Sequence, residues 1–547
     1  MSKSLKFSIW FTKRETIFFI LFILLSATLF ALIGVKGILL HSNPADAIDS
    51  TNYMKNALKL KEDYGLWGSI KSFFDGTLSI SEQQPLFLYL LFPFAIRSIY
   101  FYPVAKLITL FTGFLGVLIL PFVFRNLFGF GVAFLSTIFL ISNQTFASYS
   151  SIVACEPLFT LFFVLAWFFA VKGFENCRYW AFSGIFSALA FLTKANGFFF
   201  VFIFFVFCLI VFKKEALKEK YFWLFFVIFI AISLPLLVRN IIAYGTPLYL
   251  EQSRWLLVEY PEYRYMVGFK SLNLGFLDFI RNRSLGELVD IYSQGMKLNV
   301  QMFLESFNIL RFPLNNILNF VFASLSIFGI FAFKERKVAY FSFSIFALFF
   351  VFFGWFMRIG PNPRFYLPLI PIFYFFLSSF LVVRMRRFNI MQRLKPYFYV
   401  SIMVIIIAAI ISLSILGGFN NPLNSVSFSD GYWDLFNWLN TNVTENMTYA
   451  LGPSHDYDFF WHAKLPGKHI FSPFADEIDE FVNLLKQENV SYFVMDEDLL
   501  LRREWVFSGY FQYDDSLGLA QIKEINNLEL VFVDEMKPVS FMIFEVE

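Results

Sequence analysis

Eleven stretches of mostly apolar residues decide what this chain can become. They lie at 16–35, 103–124, 127–147, 157–171, 179–193, 197–212, 221–238, 312–333, 338–357, 365–383 and 397–417. A helix crossing the hydrocarbon core needs about 20 such residues, and in lipid every backbone N–H and C=O must be satisfied inside its own segment. A polytopic helical membrane protein is therefore expected, with the shorter runs drawing on flanking residues. Composition agrees: 58% of the 547 residues are hydrophobic, 82 are phenylalanine and only 16% are charged. That excludes a disordered chain, a disulfide-stapled secreted domain and an ordinary soluble enzyme. The three cysteines, Cys155, Cys177 and Cys208, are too few for a disulfide framework or a cysteine metal site.

The first run has no small-residue cleavage site and reads as a retained signal anchor. Residues 85–98 are apolar but only 14 long, with Pro93 inside, which suits an interfacial helix better than a span. The positive-inside rule then fixes the orientation. With 85–98 excluded and the N-terminus inside, Lys13, Arg14, Arg125, Lys172, Lys213, Lys214, Arg336, Lys337 and Arg384–Arg387 all fall on the cytoplasmic side. The outer face receives loops 36–102, 148–156 and 239–311 and the C-terminal region, together with the sequons at Asn282, Asn442, Asn446 and Asn489. A multi-pass protein of the cell (plasma) membrane is expected, its C-terminus outside.

The net charge of +3 conceals a division. Residues 1–418 hold 37 basic and 19 acidic side chains, a balance of +18, whereas residues 419–547 hold 7 and 22, a balance of −15. Two domains in two environments follow. In the acidic one, 448–454 and 490–496 read as strands, 476–489 as an amphipathic helix opening with acids, and the two apolar runs flanking Lys537-Pro538 as a terminal hairpin. This predicts a small extracytoplasmic α/β domain over 419–547. Its segment His455-Asp456-Tyr457-Asp458 with His462 has metal-ligand residue types at a spacing that matches no metal signature, and reads as a solvated loop.

No Asp or Glu lies within the eleven runs, which counts against an ion-coupled carrier. The acids that matter stand at the outer surface: Asp46 and Asp49 in the first loop, Glu82 before the interfacial segment, and Glu156 at the mouth of the fourth span. Asp49 also has the position of a helix N-cap, and Glu156, followed by Pro157, that of a first-turn acid. Lys194, Arg358 and Arg364 are the cations at the same level, where a basic side chain otherwise snorkels to headgroups.

Local patterns at these positions resemble the GT-C glycosyltransferases, in the branch of protein O-mannosyltransferases and lipid A aminoarabinose transferases. Asp49, Tyr53 and Ala57 reproduce the D-x-x-x-Y-x-x-x-A pattern of the first outer loop. Glu82, Pro85 and Leu86 are similar to its acid-x-P-P-L element, with Gln84 replacing the first proline. Glu156 resembles the second-loop acid, Leu192-Thr193-Lys194 the L-T-K element, and Arg364-Phe365-Tyr366 with Pro368 the R-Y-x-x-P element, with phenylalanine for the first tyrosine. The match covers about residues 1–385 and keeps order and spacing; the C-terminal domain carries no comparable motif.

The resemblance implies a fold of about eleven transmembrane helices plus an outer interfacial helix, and transfer of a sugar from a polyprenyl-phosphate donor to an acceptor hydroxyl with inversion. Asp49 is then the general base, because the attacking hydroxyl must lose a proton. Asp46, three residues away, is second in line. Lys194 and Arg364 meet the charge growing on the phosphate, with Arg358 in reserve. Glu156 joins the catalytic set, and Glu82 and Tyr53 the substrate-binding set. Expected partners are the lipid-linked donor, a protein, lipid or glycan acceptor, and membrane lipids, with no nucleic acid. The metal site is unknown; a divalent cation, Mg or Mn, remains open at Glu156 and Glu82. A flippase or transporter of lipid-linked sugars, a lipid-diphosphate-dependent polymerase or ligase, and an adhesion protein stand as alternatives, of which the transporter would not need Asp49.

Overall fold

The computed structural model describes residues 13–40, 48–78, 83–96, 101–249, 280–281, 283–308, 315–358 and 360–387 of the membrane part. In the C-terminal part it describes 430–451, 467–471, 475, 477–496, 499–500, 504–514, 518–533 and 541–547. The run 397–417 and the His455–His462 segment lie outside the described residues.

The apolar runs are helices. They are α1 (Lys13–Leu40), α5 (Phe101–Phe128), α8 (Glu156–Gly173), α9 (Tyr179–Thr193), α10 (Phe198–Phe212), α12 (Lys220–Tyr244), α14 (Asn315–Ala332), α15 (Arg336–Phe356) and α16 (Ile370–Arg387). Between them lie α2 (Ile48–Lys59), α3 (Gly65–Phe74), α4 (Pro85–Leu91), α6 (Phe130–Ile141), α7 (Gln144–Ser151), α11 (Lys214–Lys218) and α13 (Leu285–Glu305). Among the described residues, six helices are long and apolar enough to cross a membrane, and the protein is an integral membrane protein. The segment expected to lie in the interface is the seven-residue α4 followed by the single 3-10 turn Phe92–Phe94, too short to span.

The abundance of phenylalanine is explained by how the helices meet. Phe204 stacks on Phe225 with ring centroids 4.2 Å apart, and Phe163 meets Phe200 and Phe349 edge-on at 5.5 Å. Both arrangements are favoured by the ring quadrupole and add to the area buried. Where helices must approach more closely, glycine makes room: a Cβ on Gly184 of α9 would sit 2.6 Å from the Phe225 carbonyl oxygen of α12.

Three segments differ from the sequence expectation. The run 127–147 is not one span but α6 and α7, broken at Ser142-Asn143. Asn143 makes the break tolerable: its Oδ1 accepts from Phe146 N at 2.7 Å, capping α7, while its Nδ2 donates to Ser306 O and Tyr374 Oη, each at 2.8 Å. Helix α7 continues to Ser151, so the first four residues of the loop expected at 148–156 are helical; Ser150 and Ser151 donate back to the carbonyls of Phe146 and Ala147. The large loop expected at 239–311 contains α13, opened by a capping box between Ser284 and Glu287. Asn299 of α13 donates to Phe350 O and accepts from Tyr366 Oη at 2.6 Å, which ties the helix into the bundle.

The C-terminal region is α/β. Strands β1 (Thr448–Leu451), β2 (Lys468–Phe471), β3 (Val490–Asp496), β6 (Leu528–Val533) and β7 (Phe541–Val546) form one sheet in the order β2-β1-β3-β7-β6. The first three are parallel, and the terminal hairpin β6–β7 is antiparallel. Strands β4 (Phe511–Asp514) and β5 (Gly518–Gln521) pair separately. Phe493 and Phe544 pack with Phe481 of α18 (Ile478–Gln487) in one apolar layer, and Tyr449, Val494 and Ile543 pack with Leu435 and Leu439 of α17 (Asp430–Asn442) in the other.

Candidate active site

The site is built where helices begin and end. Glu156 is the first residue of α8, with Pro157 behind it, and only 1% of the residue is exposed. Proline suits this first position because its missing N–H has no partner in an opening turn. Lys194 follows the last residue of α9. Its backbone turns extended (φ −153°, ψ 131°) while its N–H still donates to Ala190 O at 2.9 Å, so the chain leaves the helix and the side chain swings toward α8. Its Nζ donates to Glu156 Oε1 at 2.6 Å. Arg364 lies in the 3-10 turn Pro363–Tyr366, capped by Asn362, whose Oδ1 accepts both from Arg364 N at 3.0 Å and from Tyr149 Oη at 2.9 Å. The Arg364 guanidinium places Nε 3.7 Å from the same Glu156 oxygen, with Phe365 against both cations.

One buried carboxylate therefore binds two cations, and the cluster carries a net charge of +1. Burying an unpaired ion costs several kcal/mol, so each cation holds the carboxylate and the carboxylate holds both. Glu156 Oε2 has no hydrogen-bond partner among the described residues.

Helix α2 is fastened to the segment that leads into Glu156. Ser50 Oγ donates to Val153 O at 2.9 Å, and Tyr53 Oη donates to Cys155 Sγ at 2.9 Å. Asp49 lies in the first turn of α2, next to Ser50, so its backbone is held beside the segment entering α8. Tyr53 is buried with its ring edge-on to Phe87 of α4, at 5.0 Å. The amides of Asn56 and Gln83 meet at 3.1 Å, which docks the chain next to Glu82 onto α2. Arg358, buried just beyond α15, sits near Gly295 of α13. Asp46 and Glu82, and the side chain of Asp49, lie outside the described set. The structure thus joins Glu156, Lys194 and Arg364 in one cluster and sets α2, with Asp49 and Tyr53, against it.

Two further buried cations stand outside the expected set. Lys106 of α5 lies 4.0 Å from the Tyr102 ring centroid, and Arg239 lies near the end of α12. Each is a lone basic residue within or abutting an apolar run, which is the sequence signal that marks them.

Residues 87–238 match the family model of dolichyl-phosphate-mannose-protein mannosyltransferases. The archaeal oligosaccharyltransferase AglB from Archaeoglobus fulgidus, in complex with an inhibitory peptide and a dolichol-phosphate, superposes with a TM-score of 0.56. That alignment has 13% identity and covers 94% of this chain and 76% of AglB. ArnT from Cupriavidus metallidurans bound to undecaprenyl phosphate superposes with a TM-score of 0.54 and 12% identity, over 97% of this chain and 98% of ArnT. This chain has the GT-C fold. No curated protein matches it in sequence.

A structure of the A. fulgidus oligosaccharyltransferase with Zn and sulfate is also similar, with a TM-score of 0.54 and 15% identity over 89% of this chain and 71% of that one. The donor set at Glu156 does not fit a divalent cation here. Lys194 and Arg364 already occupy Oε1, a hard cation needs several oxygens, and two neighbouring positive charges repel it. Among the described residues no group of three His, Cys, Asp or Glu converges.

Proposed function

We propose that the protein is an inverting glycosyltransferase that moves a sugar from a polyprenyl phosphate, of dolichyl or undecaprenyl type, to an acceptor hydroxyl at the outer membrane face. The observation that carries this reading is the buried Glu156–Lys194–Arg364 cluster with α2 fastened beside it. The AglB and ArnT structures, which hold dolichol-phosphate and undecaprenyl phosphate, support the choice of donor.

In this reading Asp49 takes the proton of the acceptor hydroxyl as its oxygen bonds to the anomeric carbon. The bond from that carbon to the phosphate oxygen breaks, and the phosphate departs with the electron pair. A single displacement inverts the centre. Lys194 and Arg364, both mostly withdrawn from solvent, face the growing phosphate charge, where such contacts are stronger than in open water. Glu156 acts mainly through them, fixing both cations before substrate arrives; its second oxygen can accept a sugar or acceptor hydroxyl. Asp46 is the reserve base, Glu82 and Arg358 line the substrate side, and Tyr53, expected there as well, is buried against Phe87 with its hydroxyl on Cys155 Sγ and acts by holding α2 in place. The acceptor is a protein, lipid or glycan, and no step is routed through a metal.

Purified protein in detergent with a radiolabelled polyprenyl-phosphate sugar should transfer label to acceptor, and Asp49→Asn should lower transfer by about 10²-fold or more while leaving the melting temperature unchanged. Near-normal transfer by Asp49→Asn would remove the base assignment. The orientation is tested by cysteines introduced at positions 90 and 480. Position 480 should react with an impermeant reagent from outside, and reaction only after permeabilisation sinks the outer-face reading.

A further inference from the structure

Arg239 is one of the two buried cations that the reading above does not use; the other, Lys106, lies against the Tyr102 ring. Its residue is 1% exposed, on the buried face of α12 with Phe225, Phe229 and Leu236. Its Nε and Nη2 both donate to Asn240 Oδ1, at 2.9 and 2.7 Å, and the Asn240 amide in turn donates to Pro247 O at 2.9 Å. The guanidinium lies 5.6 Å from the Tyr244 ring centroid, and Tyr244 is stacked on Tyr249 at 3.7 Å. Gly245, in the left-handed region at φ 73°, lets the chain turn back over this assembly.

These contacts explain half of the guanidinium. The fork and Asn240 fasten the turn 245–249 to the end of α12, and a cation near a helix C-terminus is favoured by the helix dipole. Neither accounts for Nη1, which is buried and has no hydrogen-bond partner among the described residues. Nor does any described carboxylate pair with Arg239, in contrast to Lys194 and Arg364, which share Glu156. A buried charge without a counter-ion is expensive, and buried polar atoms left unsatisfied are few in folded proteins. An arginine fork with a free edge is the side chain best shaped for a phosphate.

Its position relative to the cluster follows from the helices. Helices α9 and α12 run side by side in the same direction, with Gly184 against Phe225 and the Phe191 ring 5.6 Å from that of Phe229. Lys194 lies three residues beyond Phe191, and Arg239 ten beyond Phe229. At about 1.5 Å per residue the Phe191–Phe229 contact puts Arg239 roughly 10 Å further along the bundle than Lys194, and the Gly184–Phe225 contact roughly 6 Å.

We propose that Arg239 is a second anion-binding residue of this site, which takes the phosphate group of an amphiphile on Nη1 beneath the 245–249 turn. The phosphate could belong to a polyprenyl phosphate or to an ordinary anionic phospholipid, and it is a different station from the one formed by Lys194 and Arg364. The inference leans on the transfer reading only in the choice of probes.

The experiment measures binding of undecaprenyl phosphate and, separately, phosphatidylglycerol to the full chain in detergent, for wild type, Arg239→Met and Asn240→Ala. Losing a charge-assisted contact lowers affinity by roughly 10- to 150-fold, so Arg239→Met should lose that much for one or both probes. Loss for undecaprenyl phosphate alone assigns the station to the polyprenyl carrier, and loss for phosphatidylglycerol alone assigns it to bulk lipid. Asn240→Ala, which loosens the turn but keeps the charge, should bind within about threefold of wild type on the same scale. If Arg239→Met does not fold, Arg239→Gln is read in its place. Wild-type affinity for both probes in the charge-removing variant overturns the inference, as does an equal loss in Asn240→Ala, which would make Arg239 a clamp for the turn. Label transfer measured on the same preparations separates the two readings. A wild type that transfers sugar while Arg239→Met binds normally overturns this inference alone; a wild type that binds through Arg239 but transfers nothing overturns the transfer reading alone.

Discussion

The membrane bundle and the C-terminal domain treat charge in opposite ways. In the bundle Lys106, Glu156, Arg239 and Arg358 are buried, with Lys194 and Arg364 partly so; in the domain Asp496 is the one buried charged residue among those described. The bundle collects its charges at one end. Ala154, two residues before Glu156, reaches Thr109 near the start of α5, and α9 and α12 end at the same side. The domain, with a balance of −15, has two ordinary apolar layers on the faces of its sheet. Burial of an ion is costly unless something repays it, so a cluster of buried ions marks chemistry, whereas a strongly acidic domain built on plain apolar layers carries no such mark. The bundle end is read as the site, and the acidic domain as a separately packed unit.

That contrast breaks most readily at Glu156. Glu156→Ala leaves the partly buried Lys194 and Arg364 without their carboxylate; breaking a fully buried pair typically costs about 3–5 kcal/mol, and partial exposure makes the loss here smaller. Both thermal stability in detergent and sugar transfer should fall; an unaltered melting temperature would show that the two cations do not depend on it. Phe493→Ala is the counterpart in the domain. Phe493 is fully buried against Phe481, Phe507 and Phe544, and truncating such a ring costs about 3–5 kcal/mol. Limited proteolysis of the full chain should then cut within 430–547 much faster, while the bundle fragment stays intact. Rapid cleavage of the bundle as well would show that the two units are not separate.

Lys194→Ala and Arg364→Ala come next. On the proposed transfer reading each would remove a contact to the leaving phosphate, typically worth about 2–4 kcal/mol of transition-state stabilisation. Turnover at saturating donor is the measurement, and normal turnover in both variants at normal expression ends the phosphate assignment.

How far the sequence reveals this arrangement depends on whether a feature is local. Runs of apolar residues become helices with bounds close to those expected, as at 179–193, and alternation and charge place β3, the helix after 476 and the terminal hairpin. The break at Asn143 is hidden because its partners, Ser306 and Tyr374, come from distant parts of the chain; alone, an asparagine within an apolar run looks like a tolerated polar residue. Helix α13 is hidden for a related reason. Its apolar residues face α15 through Gly295 and Gly354 while its other side is polar, so its composition resembles a loop. At the site, residue types and spacing pick out Glu156, Lys194 and Arg364 one at a time. Their union on a single carboxylate oxygen requires the start of α8, the end of α9 and the turn at 363 to meet in one place, which no local pattern encodes.

The smallest expected effect concerns Tyr53, whose residue type suggests stacking on a sugar face. Its burial against Phe87 and its hydroxyl on Cys155 Sγ point instead to a joint between α2 and the residues entering Glu156. Tyr53→Phe keeps the ring and removes the hydroxyl, and loss of one ordinary hydrogen bond costs about 0.5–1.5 kcal/mol. If the hydroxyl is a joint, the melting temperature should drop by a few degrees, turnover should fall slightly through looser placement of Asp49, and the KM for donor should hold. A raised donor KM with an unchanged melting temperature would instead put the hydroxyl in contact with substrate. Tyr53→Ala adds a cavity beside Phe87 and should lose both stability and turnover on either reading, so the phenylalanine variant is the one that decides.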